Sequence, residues 1–200
     1  MNASLFLRRS SIDLTLVRRR YRHGCRWFLL LSAIFFAPLH ASASKEYEIK
    51  AAFLFNFTKF IEWPPLRFSE ASDPIIIGVY GENPFGDILA TNVRGRRVNG
   101  REIQVRAITS ALEARQVHLL FVGGAARYDP ESLKAALQGS GTVMVTESTS
   151  LGRKSGVIIL TVEDNKVHFE IDQDAAESTG VKLSSQLLKL ATAVRKGSER

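Results

Sequence analysis

The chain has 200 residues and a formal charge of +7, but seven arginines against a single acid, Asp13, place +6 of that charge in residues 1–43. The other 157 residues carry +1, which removes the main argument for a nucleic-acid-binding protein. The one cysteine, Cys25, also lies in the first 43 residues, so the remainder can form neither a disulfide nor a cysteine metal site.

The basic run ends at Arg26. An eleven-residue apolar stretch (27–37) follows, then Pro38 and the small-x-small triplet Ala-Ser-Ala at 41–43. That order reads as an export signal cleaved after Ala43, and the apolar stretch is too short to cross a bilayer of about 30 Å. Val17, followed at once by three arginines, offers an alternative start. The expected organisation is a signal peptide over 1–43 and one domain over 44–200, delivered to the periplasm.

The first helix is predicted over 46–62, ending before Pro64 because the residue preceding a proline is pushed out of the α region. At 100° per residue, Ile49, Ala52, Phe53, Phe57, Phe60 and Trp63 fall within an arc of roughly 140°. Asn56 points into the middle of that arc, a buried amide that must be hydrogen-bonded. Thr58, Lys59 and Glu62 mark the polar back, with Phe55 among them as a candidate partner contact. Asn56, Trp63 and Pro64 are assigned structural roles.

Next, "PIIIGVYG" (74–81) reads as a buried strand. "NPFGDILATNV" predicts a helix with Asn83 as N-cap and Pro84 at its first position. "GRRVNGR" is a basic turn in which Asn99-Gly100 is a hairpin signal. Strands at 102–108, 117–124 and 142–148 alternate with a helical link at 110–116 and with a helix capped by Asp129, started by Pro130 and ended by Gly139. Two further strand runs, 157–162 and 167–171, form a β-hairpin. A short helix over 173–179, capped by Asp172 and closed by Gly180, precedes a last helix from Ser184 or Ser185 to about Arg195. The fold class is α/β: a single-domain, Rossmann-like, largely parallel sheet with helices on both faces, plus a C-terminal β-hairpin and helices.

The segment "KAAFLFNFTKFIEWP" resembles the N-terminal signature of the YfiR family of secreted regulators. "IGVYGENPFGDIL", "LLFVGG" and "KVHFEIDQDAAESTGVKLSSQLLKLA" match in order, so the resemblance spans essentially the whole chain after the leader. It implies a periplasmic protein that restrains an inner-membrane diguanylate cyclase, lowering cyclic-di-GMP and biofilm formation. The implied partner is the periplasmic domain of that cyclase, with a homodimer left open. Better-known relatives carry cysteine pairs in this domain, and this chain has none.

Catalytic and metal motifs are missing from the residues after the leader. His118 and His168 lie far apart without a ligand-spaced Asp, Glu or Cys, and both read as structural. No serine lies in a G-x-S-x-G elbow, and the acidic residues sit at turns and caps. The expectation is a binding protein with no cofactor and no metal, rather than an enzyme. Loops at the carboxyl ends of the predicted strands supply a candidate site for an unidentified small ligand: Gly81, Glu82, Asn83, Gly86, Gly123 and Gly124. Turn glycines alone also explain them. Candidate partner residues, besides Phe55, are Val162, Glu163, Phe169 and Ile171 on the hairpin. The alternative function is a periplasmic small-ligand sensor reporting to another membrane receptor such as a histidine kinase.

Overall fold

Residues 39–124, 129–148 and 155–197 are described by a computed structural model. Contacts divide the chain into two units, residues 1–42 and residues 43–200. The elements below belong to the second, save the first turn of the first helix. The expected signal peptide lies outside the described residues apart from its last five.

Helix α1 (Leu39–Phe60) leads into a two-residue strand, β1 (Ile61–Glu62), and a 3-10 turn (Pro65–Arg67). Strand β2 (Ile75–Tyr80), helix α2 (Ile88–Val93), strands β3 (Arg97–Val98) and β4 (Arg101–Ile108) and helix α3 (Ala111–Ala114) follow. Then come β5 (Leu119–Val122), α4 (Pro130–Leu137), β6 (Val143–Glu147), β7 (Ile158–Glu163) and β8 (Lys166–Asp172). The described chain closes with α5 (Gln173–Thr179), β9 (Lys182–Leu183), α6 (Ser185–Leu190) and β10 (Ala193–Arg195).

Eight strands form one sheet in the order β10-β8-β7-β6-β5-β2-β4-β3. Strands β2, β4, β5, β6 and β7 pair in parallel, while β7–β8 and β3–β4 are antiparallel. The alternation of side chains divides the core in two. Leu119 and Phe121 of β5 face one cluster together with α1, α2, α5 and α6, and Leu120 and Val122 face another with α3 and α4. Helices therefore cover both faces, and the central strands β2, β5 and β6 read as nearly continuous apolar runs because little of either face meets water, whereas β4 alternates and is exposed at half its positions.

Local chemistry sets many of the boundaries. Asp129 caps α4, accepting from the N–H groups of Glu131 and Ser132, and Pro130 opens it. Asp172 caps α5 through the Ala175 N–H, and Gly180, with φ +85°, ends it. The β7–β8 turn places both Asp164 and Asn165 at positive φ, the geometry that matches strand twist in a two-residue hairpin. At Gly78 a Cβ would lie 2.8 Å from Ile108 Cγ1 and 3.0 Å from Val117 Cγ2, so the strand needs glycine to approach them.

Four expectations are corrected. First, α1 is rolled relative to the expected face. Lys50, Ala51, Leu54, Phe55, Phe57 and Thr58 are its buried residues, whereas Asn56 is exposed and accepts from Lys59 Nζ at 3.1 Å. Lys45, Glu48, Ile49, Asn56 and Lys59 form an exposed stripe about 100° wide. Thr58 can be buried on a packed face because its hydroxyl donates to the Phe55 carbonyl. Second, the helix stops at Phe60, since Ile61 and Glu62 pair antiparallel with β9. Third, α2 begins at Ile88. Asn83 closes a local turn instead of capping it, its Oδ1 accepting from Phe85 N–H and its Nδ2 donating to Gly86 O. Fourth, α6 ends at Leu190, and Ala193–Arg195 return as a strand parallel to β8, where backbone pairing replaces a further helical turn.

Candidate functional site

Along the parallel run β7-β6-β5-β2-β4, chain order reverses between β2 and β5. That is the switch point beyond which ligands bind in open α/β sheets. The loop after β2 carries Gly81, Glu82, Asn83 and Gly86; the loop after β5 carries Gly123 and Gly124. The topology thus places both candidate ligand loops at the same edge of the sheet. Their polar groups are largely turned inward, however. Gly81 N–H donates to Ile108 O at 2.9 Å, the Asn83 amide closes its own turn, and Gly124 N–H donates to Glu147 Oε2 at 2.7 Å.

Glu147 ends β6 beside this point and is the hub of a charged cluster. Its other carboxylate oxygen accepts from Lys50 Nζ, which also pairs with Glu46 one turn earlier on α1. Lys50 is only 4% exposed, and the Glu147 side chain is also largely buried. The Lys50 ammonium lies 4.6 Å from the centre of the Tyr47 ring. Burial, then the adjacent Glu147 carboxylate, raise the Tyr47 hydroxyl to about 12. Tyr47 packs edge-on to Phe85 at 5.3 Å, and Phe85 edge-on to Phe121 at 4.8 Å. Chemically this is an ionic bracket joining the first helix to the carboxyl ends of β5 and β6. The Glu46–Lys50 half was visible as an i,i+4 spacing; Glu147, 97 residues away from Lys50, was not.

At the opposite edge, His118 is buried against Trp63, edge-on at 5.5 Å, and stacked on Phe68 at 4.7 Å. Its Nδ1 accepts the Ile76 N–H at 3.1 Å, and Trp63 Nε1 donates to its carbonyl at 3.3 Å. Arg101 covers the far side of Phe68, while Arg67 donates to the carbonyls of Arg115 and Val117. Pro64 accepts the Arg67 N–H that closes the 3-10 turn. His118, Trp63 and Pro64 are therefore integral to the packing at this end. Asn56, given a structural role above, lies on the exposed stripe instead.

The candidate partner residues separate. Phe169 and Ile171 belong to the core, with Phe169 edge-on to both Phe53 and Phe57. Phe55 is buried as well, with Lys59 and Arg96 4.4 and 4.5 Å from its ring centre. Polar neighbours on its own element mark each as a candidate surface residue, whereas packing from other elements covers it. Val162, 47% exposed, and Glu163 remain at the surface at the end of the hairpin. Leu190 and Val194 are the exposed large apolar residues of α6 and β10.

Among the described residues no group of His, Cys, Asp and Glu could hold a metal ion, and no helix is long and apolar enough to cross a membrane. A solved structure described as the ABC domain in complex with L-Trp from Streptococcus pneumonia is similar at 12% identity with a TM-score of 0.40. The alignment covers 60% of this chain and 55% of that one, so this chain spans about half the length of that neighbour. No curated protein matches. The model of the YfiR/HmsC-like family matches residues 47–192.

Proposed function

The chain belongs to the YfiR/HmsC-like family, and from that premise we propose that it is a periplasmic regulatory binding protein restraining an inner-membrane diguanylate cyclase. The family match over 47–192 carries this reading, because it takes in nearly every described element of the fold. Restraint requires the protein to bind the inactive cyclase more tightly than the active one, since equal affinity shifts no population. The docking surface proposed here is the end of the β7–β8 hairpin, where exposed Val162 is bordered by Glu163, Asp164 and Asn165, an apolar centre with a polar rim.

Deleting the gene in its native host and measuring cyclic-di-GMP tests the regulatory role. The expected outcome is a rise that is reversed by complementation; an unchanged level refutes it. Val162→Glu, at an exposed position, should leave the fold intact and weaken capture of the cyclase periplasmic domain. Unchanged capture would move the docking surface elsewhere.

A further inference from the structure

A cleft of about 690 Å³ opens between α4, the start of α5 and the C-terminal segment, and shares no residue with the loops after β2 and β5. Its volume lies in the range of small-molecule sites. Lys134 and Gln138 form one wall, Asp172, Asp174 and Ser178 another, and Val194 to Gly197 the third. We propose that it binds a small organic polyanion, a phosphate monoester or a polycarboxylate. The inference does not depend on the cyclase reading.

The charge arrangement gives the ligand its sign. Both carboxylates are used within the fold: Asp172 Oδ1 accepts from Ala175 N–H at 2.9 Å, and Asp174 Oδ2 accepts from Gly197 N–H at 2.8 Å. Arg195 stands a loose 4.0 Å from Asp172. Lys134 and Lys196 have no carboxylate partner among the described residues, and the Gln138 side-chain amide makes no hydrogen bond there. Three cations thus line the cleft from two walls against two carboxylates, each of which has one oxygen held by a backbone N–H, and the balance is one positive charge in excess. A ligand with two or more negative groups can meet them with charge-assisted hydrogen bonds.

The walls are also held in place before any ligand arrives. Gly139 N–H donates to Ser178 O at 3.0 Å and Gly141 N–H to Thr179 O at 2.9 Å, tying the end of α4 to the end of α5. The third wall is anchored by the β10–β8 ladder and by the Asp174–Gly197 bond. Little ordering cost remains for binding to overcome. Ala175 and Val194 are the apolar side chains of the lining, so the cleft offers mainly polar contacts and favours a compact, hydrophilic ligand.

The test is an amide-shift titration of ¹⁵N-labelled protein at low salt with citrate, glycerol 2-phosphate and inorganic phosphate. Saturable shifts at Gln138, Ser178 and Gly197 are expected with at least one organic anion, and the tighter of the two identifies the class. Lys134→Glu/Lys196→Glu should weaken binding about tenfold or more, the loss of at least one hydrogen bond to a charged group. Lys59→Glu/Arg96→Glu, which reverses charge elsewhere on the surface, should leave it unchanged. All four side chains are exposed, and thermal melts confirm that each variant folds; Lys196→Ala serves if a double variant does not. The proposal is overturned if neither organic anion saturates, if inorganic phosphate binds as tightly as both, or if the two double variants weaken binding equally.

Discussion

His118 illustrates how one buried residue makes stability depend on pH. The Ile76 N–H points at its Nδ1, so the ring must be unprotonated there to accept that bond. Burial first, then the charges of Arg67 and Arg101, lower its pKa from 6.5 to about 4. The group is thus neutral when folded and takes up a proton when unfolded below pH 6.5. Its contribution is complete above pH 6.5 and is lost as pH falls toward 4, by about 3 kcal/mol in all. Urea titrations at pH 7 and pH 4.5 measure this, and His118→Gln should show a smaller acid loss than wild type by about 2–3 kcal/mol. Equal losses in the two proteins would sink the assignment. Lys50 gives a second residue-scale expectation. Lys50→Met leaves Glu147 buried without its cation and should cost about 3–5 kcal/mol, whereas Lys50→Met/Glu147→Leu should recover much of that, because removing both charges also removes the desolvation cost. The two spacings differ in how they can be read. Glu46 and Lys50 announce themselves as neighbours on one helix, but nothing along the chain connects Lys50 to Glu147 or Ile76 to His118.

Elements carry the next set of expectations. The hairpin β7–β8 follows from its alternation and its polar turn, yet which of its residues meet solvent depends on what lies over each face. Phe169 packs against Phe53 and Phe57 of α1, so Phe169→Asp buries an unpaired charge and should abolish folding. Val162→Asp, beyond the cover of α1, should shift the melting temperature only slightly. Circular dichroism melts of the pair separate the two cases, and a stably folded Phe169→Asp would contradict the packing. On β2, Gly78→Ala adds a methyl group where two side chains already crowd, and should cost about 1–3 kcal/mol in urea denaturation. The roll of α1 has a related cause. Its apolar residues spread around more than half of its circumference, so periodicity alone leaves several orientations open. Contact with Phe85, Phe169 and Glu147 selects the one that leaves Asn56 outside.

On the scale of the whole molecule, the sheet joins both core clusters, since each central strand contributes alternate residues to each. Residues 43–200 should therefore unfold as one cooperative unit. Trp63 is the single tryptophan after residue 43 and sits at the edge of the sheet away from Glu147. Its fluorescence and the far-UV circular dichroism should give coincident urea transitions; two separated transitions would mean that the His118 end opens independently. The class of fold, the order of the longer strands and helices, the caps at Asp129, Asp172 and Gly180 and the two hairpin turns were legible along the chain, because periodicity, turn chemistry and capping act over a few residues. Which face of α1 is buried, the conversion of Ile61–Glu62 and Ala193–Arg195 to strands, the Lys50–Glu147 bracket and the cationic cleft emerged only from packing. Each depends on backbone or charge partners dozens of residues away, and local propensity cannot specify a partner that only the folded sheet brings near.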